Sequence, residues 1–227
     1  MAPNIAGFAR LVVTLGWLTA GGWLAVLTVS ELRYLWMTPP TPPEVTHDLV
    51  VKDATDQQGR HASFRILLFT DEFRWRLNSF DEIEHRGTPN FTEEMKEVLN
   101  SAEEIICVGA SSEEIPSGVS YNLGRVQEER RAARRAEKIA VWVREVIRRP
   151  IPVRKLNVGH HTPTRDKADT SDQRRVVIIL VLKHDEGANI DQSLRSAMAG
   201  ESLRAPIFES LLTKYSLATG EAFTWVP

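Results

Sequence analysis

The sequence predicts an α+β protein, with one N-terminal transmembrane helix followed by a two-layer α/β sandwich. Three observations predict it. Residues Leu11 to Ser30 form one uncharged run of 20 residues, LVVTLGWLTAGGWLAVLTVS, and at a helical rise that length spans about 30 Å, the hydrocarbon thickness of a bilayer. Everything after residue 50 is charged and mixed, as in an extramembrane domain. Within that part, short β-branched runs alternate with segments of helical spacing, the pattern of helices packed on a sheet.

The apolar run is bounded by Arg10 on one side and by Glu31 and Arg33 on the other, with Tyr34 and Trp36 placed for a membrane–water interface. A cleaved signal peptide would have an apolar core of about 7–15 residues ending at a small-x-small site. Here the core is longer, and Thr19-Ala20-Gly21 lies in its middle. Arg10 and the N-terminal amine set the expected orientation. The tip faces the cytoplasm and the domain the periplasmic side of the inner membrane. The run contains no Asp, Glu, Lys or His, so the anchor offers no proton-carrying group.

Four parts follow: a tip and transmembrane helix over 1–36, a Pro-rich linker over 37–60, an α/β domain over 61–185 and a C-terminal extension over 186–227. The linker opens with MTPPTPPEVT, whose four prolines lack donors and fix φ, which favours an extended spacer. Net charge is −2, so no global basic field argues for nucleic acid. The single cysteine, Cys107, sits in the apolar run IICV, cannot form an internal disulfide and reads as a small buried hydrophobe.

Along the domain, Ala62 to Phe69 reads as a strand and Phe73 to Leu77 alternates as a second one. Asn90, with Glu93 three residues on, marks a helix start. Ile105 to Val108 is a short buried strand ending at Gly109, and 110–118 is a loop. From Val126 to Arg148, Ala132, Ala136, Ile139, Val143 and Val146 recur at steps of three and four, one stripe for a core. Pro150 and Pro152 end that helix. Val153 to Val158 is another strand, and RVVIILVL over 175–182 is apolar enough to be central. In the extension, 190–199 and 207–215 read as short helices, and Phe223 and Trp225 predict that the tail packs.

In order, Ile105-Ile106-Cys107-Val108-Gly109, the pair Arg135-Ala136 followed by Ile139 and Val143, Leu156-Asn157-Val158-Gly159, and Gln173-Arg174-Arg175 before the last strand resemble the OmpA-like domain family. That family is the peptidoglycan-binding module of outer-membrane protein A and of the flagellar stator protein. The resemblance covers about residues 60–185 and implies a βαβαββ domain. It also implies that Arg135, at the edge of the buried helical face, grips a carboxylate of a peptidoglycan stem peptide. Where the family has an aspartate, this chain has Ser111-Ser112 followed by Glu113 and Glu114. Ser112, Glu113 and Glu114 are therefore the candidate ligand loop. Arg174 and Arg175 match the family's paired arginines.

Other chemistry is sparse. His160-His161, with His184 and Asp166, invites a metal reading, but adjacent histidines in extended chain point apart, and zinc needs three or four converging ligands. No Gly-x-Ser-x-Gly elbow, phosphate-binding loop, dinucleotide fingerprint or HExxH motif occurs. In the arginine-rich stretch from Arg125 to Arg149, glutamates are interleaved, the pattern of a solvated helix. The expectation is a non-enzymatic envelope protein without cofactor or metal. It binds peptidoglycan or scaffolds an envelope complex, or it serves only as an assembly subunit of a membrane machine. Its expected partners are the membrane, peptidoglycan, and other envelope proteins or further copies of itself.

Overall fold

Apolar periodicity decides most of the elements. The structure is a computed structural model that describes residues 45–69, 74–84, 91–115, 117–163, 170–201, 204 and 206–227. These residues carry six strands, β1 (Val45–Thr55), β2 (His61–Phe69), β3 (Glu104–Ser111), β4 (Val153–His160), β5 (Val177–His184) and β6 (Thr224–Val226). They also carry four α-helices, α1 (Glu93–Asn100), α2 (Tyr121–Val146), α3 (Ile190–Glu201) and α4 (Pro206–Thr213), and a 3-10 turn at Ser171–Arg174.

The strands form one mixed sheet in the order β1-β2-β5-β3-β4-β6. Only β3 and β4 run parallel, and α2 connects them. Every other neighbouring pair is antiparallel. β5 lies between β2 and β3, and Val177 to Val181 are all buried. Its unbroken run of β-branched and leucine residues has this cause: neither side of the strand meets water.

Alternate residues of each inner strand feed two cores. Ile106, Val108, Ile179 and Phe64 join α3, α4, Tyr215 and Phe223 on one face. Ile105, Cys107, Ile178 and Leu67 join Leu99, Ile139, Val143, Trp75 and Trp142 on the other. Burying a leucine-sized side chain contributes about 1.5–3 kcal/mol, so two such cores make the sheet the rigid frame of the molecule.

This overturns the expected fold class. The protein is not a two-layer sandwich of βαβαββ type behind a transmembrane helix. Its sheet is covered on both faces, its element order is ββαβαβααβ, and two of its six strands lie outside the expected domain. Residues 45–55, assigned to the linker, form β1, which pairs with β2 from one edge of the sheet. The 186–227 extension supplies the second helical layer, and β6 pairs with β4 at the opposite edge. The physical reason is the β5 run itself, which needs cover on two faces, and the extension provides one. The run 11–30 lies outside the described residues. Among the described residues, no helix is long and apolar enough to cross a membrane.

Local signals explain the helix ends. Thr92 caps α1, its hydroxyl accepting from the Met95 N–H at 3.1 Å, with Glu93 and Glu94 in the first turn beside the positive helix end. The expected cap, Asn90, lies outside the described residues. α2 begins five residues before the expected 126, at Tyr121, and stops at Ile147, whose backbone is extended. Gly109 lets α2 lie against β3. A Cβ there would collide with the Ala132 carbonyl oxygen and the Ala136 amide nitrogen.

Candidate functional site

Parallel strands end together at their carboxyl edge, and ligands of mixed α/β sheets gather there because the loops diverge. In this protein that edge joins Ser111 and His160, which are paired across β3 and β4, and the His161 N–H donates to the Ser111 carbonyl at 2.9 Å. The loops that leave it carry five of the six residues expected to bind ligand, and α2 carries Arg135.

The structure separates these six. Arg135 is fully buried. Its Nε and Nη2 donate to the Ser79 carbonyl at 2.9 and 2.7 Å, its Nη1 to the Ala110 carbonyl at 2.7 Å, and its Nη2 also to the Arg76 carbonyl at 3.3 Å. Its guanidinium lies over the Trp75 ring, which is stacked on Trp142 at 5.3 Å. Burial, and then the neighbouring Arg131 charge, pull Arg135 below the ordinary guanidinium range to about 9, so it stays charged at neutral pH. Among the described residues its hydrogen bonds go to backbone carbonyls, and none goes to a carboxylate. Arg174 is occupied in part, its buried Nε making no hydrogen bond among the described residues. Its Nη1 donates to the Trp75 carbonyl at 2.7 Å, and the Trp75 N–H returns a bond to the Arg174 carbonyl at 2.9 Å. Arg135 fastens the 74–84 segment to α2, and Arg174 fastens it to the 3-10 turn before β5. The segment read as a strand over 73–77 makes only isolated bridges, Arg74 with Arg175 and Trp75 with Ile83.

The ligand loop folds elsewhere. The Ser112 hydroxyl donates to the Glu114 carboxylate at 2.9 Å, and the Thr170 hydroxyl donates to its other oxygen. The Glu113 N–H donates to Gln173 Oε1 at 2.9 Å. Behind this loop, the Ser111 hydroxyl donates to buried Glu128, which is ion-paired with Arg131.

Arg175 does line a cavity. A space of about 350 Å³ opens between the carboxyl edge and α4, bordered by Arg175, Asp172, Gln173, His161, Ser210 and Tyr215 on its polar side, with Leu68, Pro206 and Ile207 completing it. Gln173 is 2% exposed. Its Oε1 is fixed by the Glu113 N–H, so its Nε2 must present the donor pair. That nitrogen is buried and makes no hydrogen bond among the described residues. A buried unmet donor costs about 1–3 kcal/mol.

The histidines diverge as extended chain requires. His161 Nδ1 lies 2.7 Å from the Thr162 carbonyl oxygen, which places the proton on Nδ1 and leaves Nε2 as an acceptor, 3.5 Å from the Ser210 hydroxyl. The ring packs edge-on against Tyr215, whose hydroxyl donates to the Gln173 carbonyl at 2.9 Å. His160 points the other way, toward Glu129 at 3.5 Å, and burial lowers its pKa against the opposing pull of that carboxylate. Among the described residues no cluster could hold a metal ion. His184 lies at the far end of β5, and Asp166 is outside the described residues.

Sequence reasoning pointed to this edge of the sheet but missed Asp172, Ser210 and Tyr215. Ser210 and Tyr215 come from the extension, and only the second helical layer brings them to the edge. The His160-His161 pair was the one available pointer. Comparison of the chain with protein-family models, with curated proteins and with solved structures returned no match.

Proposed function

We propose that this protein is a non-catalytic binding module that seats the carboxylate-bearing end of a cell-wall peptide in the 350 Å³ cavity beside Arg175. The observation that carries the reading is the polar wall of that cavity, where Arg175, Gln173 and Asp172 lie together at the carboxyl edge of the sheet. An ionised carboxylate accepts from a guanidinium such as that of Arg175, and charge-assisted bonds of this type are roughly twice as strong as neutral ones. Asp172 on the same wall suits the ammonium of a zwitterionic residue, as in a diaminopimelate-type stem peptide. The resemblance of the 105–109, 135–143, 156–159 and 173–178 segments to wall-binding domains supports the same ligand class.

The test is retention of the full chain on purified peptidoglycan, compared with Arg175→Gln and Gln173→Glu. The second variant keeps the acceptor for the Glu113 N–H and replaces the donor with a like charge. The expected result is retention of the wild type and loss in both variants, compared at a temperature where circular dichroism shows all three folded. Equal retention of all three chains, or none of the wild type, contradicts the reading.

A further inference from the structure

A second depression opens on the outer side of α2 and shares no lining residue with the cavity. It encloses about 230 Å³ between Asn78 and Phe80 of the 74–84 segment and Gln127, Arg130, Arg131 and Arg134 of the helix. Arg130 and Arg134 are one helical turn apart and face the same way. Arg131 is engaged by buried Glu128. The Arg134 guanidinium carbon lies 4.8 Å from the centre of the Phe80 ring, a cation–π contact, and the residue is exposed. Neither Arg130 nor Arg134 is ion-paired among the described residues.

The charge here is not balanced from below. Arg135, the next residue on the helix, ends on neutral backbone carbonyls, which accept from its donors and leave its charge intact. The groove therefore presents two exposed arginines, with the buried Arg135 next to Arg134 on the same helix. A carboxylate supplies one negative charge, whereas a phosphate monoester carries about −1.5 to −2 at pH 7 and has three acceptor oxygens for two planar donor edges.

We infer that this groove binds a phosphate monoester, held between Arg130 and Arg134, with Gln127 and Asn78 at its rim. The ester carbon leaves toward solvent. The phosphate comes either from a soluble ester or from a lipid headgroup, since both present the same dianion. Binding through exposed arginines weakens as salt screens them.

Titration calorimetry of the full chain with inorganic phosphate and with phenyl phosphate, at low and at physiological salt, tests the site. The wild type binds both ligands. Affinity falls at least tenfold in the double variant Arg130→Gln/Arg134→Gln, and severalfold in Phe80→Leu, which leaves every arginine in place. It is unchanged in Lys138→Gln, because that cation of the same helix lies over Trp142, outside the groove. Absence of saturable binding by the wild type, an unaltered double variant, or an equal loss in Lys138→Gln overturns the inference. Sedimentation with phosphatidic acid vesicles, but not with phosphatidylcholine vesicles, assigns the lipid source when the double variant abolishes it. Phosphate binding without sedimentation supports the site with a soluble ester.

Discussion

Arg134 and Arg135 are neighbours on one helix and meet opposite fates. One residue turns the helix by about 100°, and that turn carries Arg134 to the solvent over Phe80 and Arg135 into the core under Ser79. The outer guanidinium has donors to spare for a ligand. The inner one has become a fastener that ties the 74–84 segment, β3 and α2 together. An arginine in a helical run is thus assigned a role by its angle and by what closes over it, not by its membership of a motif.

The largest effect expected from breaking this contrast is at Arg135. Arg135→Ala strands the Ser79, Ala110 and Arg76 carbonyls, and an unmet buried acceptor costs about 1–3 kcal/mol. Urea denaturation should show a loss of about 3–5 kcal/mol, with Arg135→Lys recovering only part because an ammonium cannot fork. Arg134→Ala should change stability by less than about 1 kcal/mol, the scale of a surface contact.

Next in size is Gly109→Ala. Its methyl would meet the α2 backbone, which cannot step aside as a side chain can, so a loss of about 1–3 kcal/mol or more is expected from overpacking. The same substitution at Gly200, where nothing lies within 4 Å, should be neutral or stabilising, since alanine favours a helix by about 1 kcal/mol. Gly109 is a buried strand residue against which a helix packs, and Gly200 is an exposed helical one with open space around it.

A smaller effect is expected from pH. Burial holds His160 below its ordinary value, with Arg125 adding to it, against Glu129 and Glu128. The unfolded chain therefore binds a proton that the folded chain resists. Stability is full above the ordinary histidine value and falls as pH drops through it. The urea midpoint should decline between about pH 7.5 and 5.5, and His160→Asn should flatten that decline. Asp56 contributes only at far lower pH. Burial raises its pKa, but the N–H groups of Asn189, Arg60 and Gln58 and the Arg60 side chain outweigh that and hold it at about 2.

Much of the frame was legible because apolar spacing is a local property. The stripe at 132, 136, 139 and 143, the β5 run and, apart from the strand expected at 73–77, the order of elements between 61 and 184 are found. The layering was not legible. That 190–213 closes a second face depends on contacts between residues far apart in the chain, such as Leu194 and Phe208 with Phe64 and Ile179. β1 was hidden by the prolines just before it, which end at Pro43 and leave 45–55 free to pair with β2. The candidate site was half legible for the same reason. Arg174 and Arg175 are adjacent in sequence, yet one serves Trp75 and the other lines a cavity. Only the packing of 74–84 and α4 separates them.

The central claim is that Arg135 holds the fold while Arg175 holds the ligand. The most direct measurement is retention on purified peptidoglycan of Arg135→Lys and Arg175→Lys, at a temperature where circular dichroism shows both folded. The account predicts wild-type retention for Arg135→Lys and at least a tenfold loss for Arg175→Lys. The reverse order, with Arg175→Lys retained and Arg135→Lys released, would contradict it.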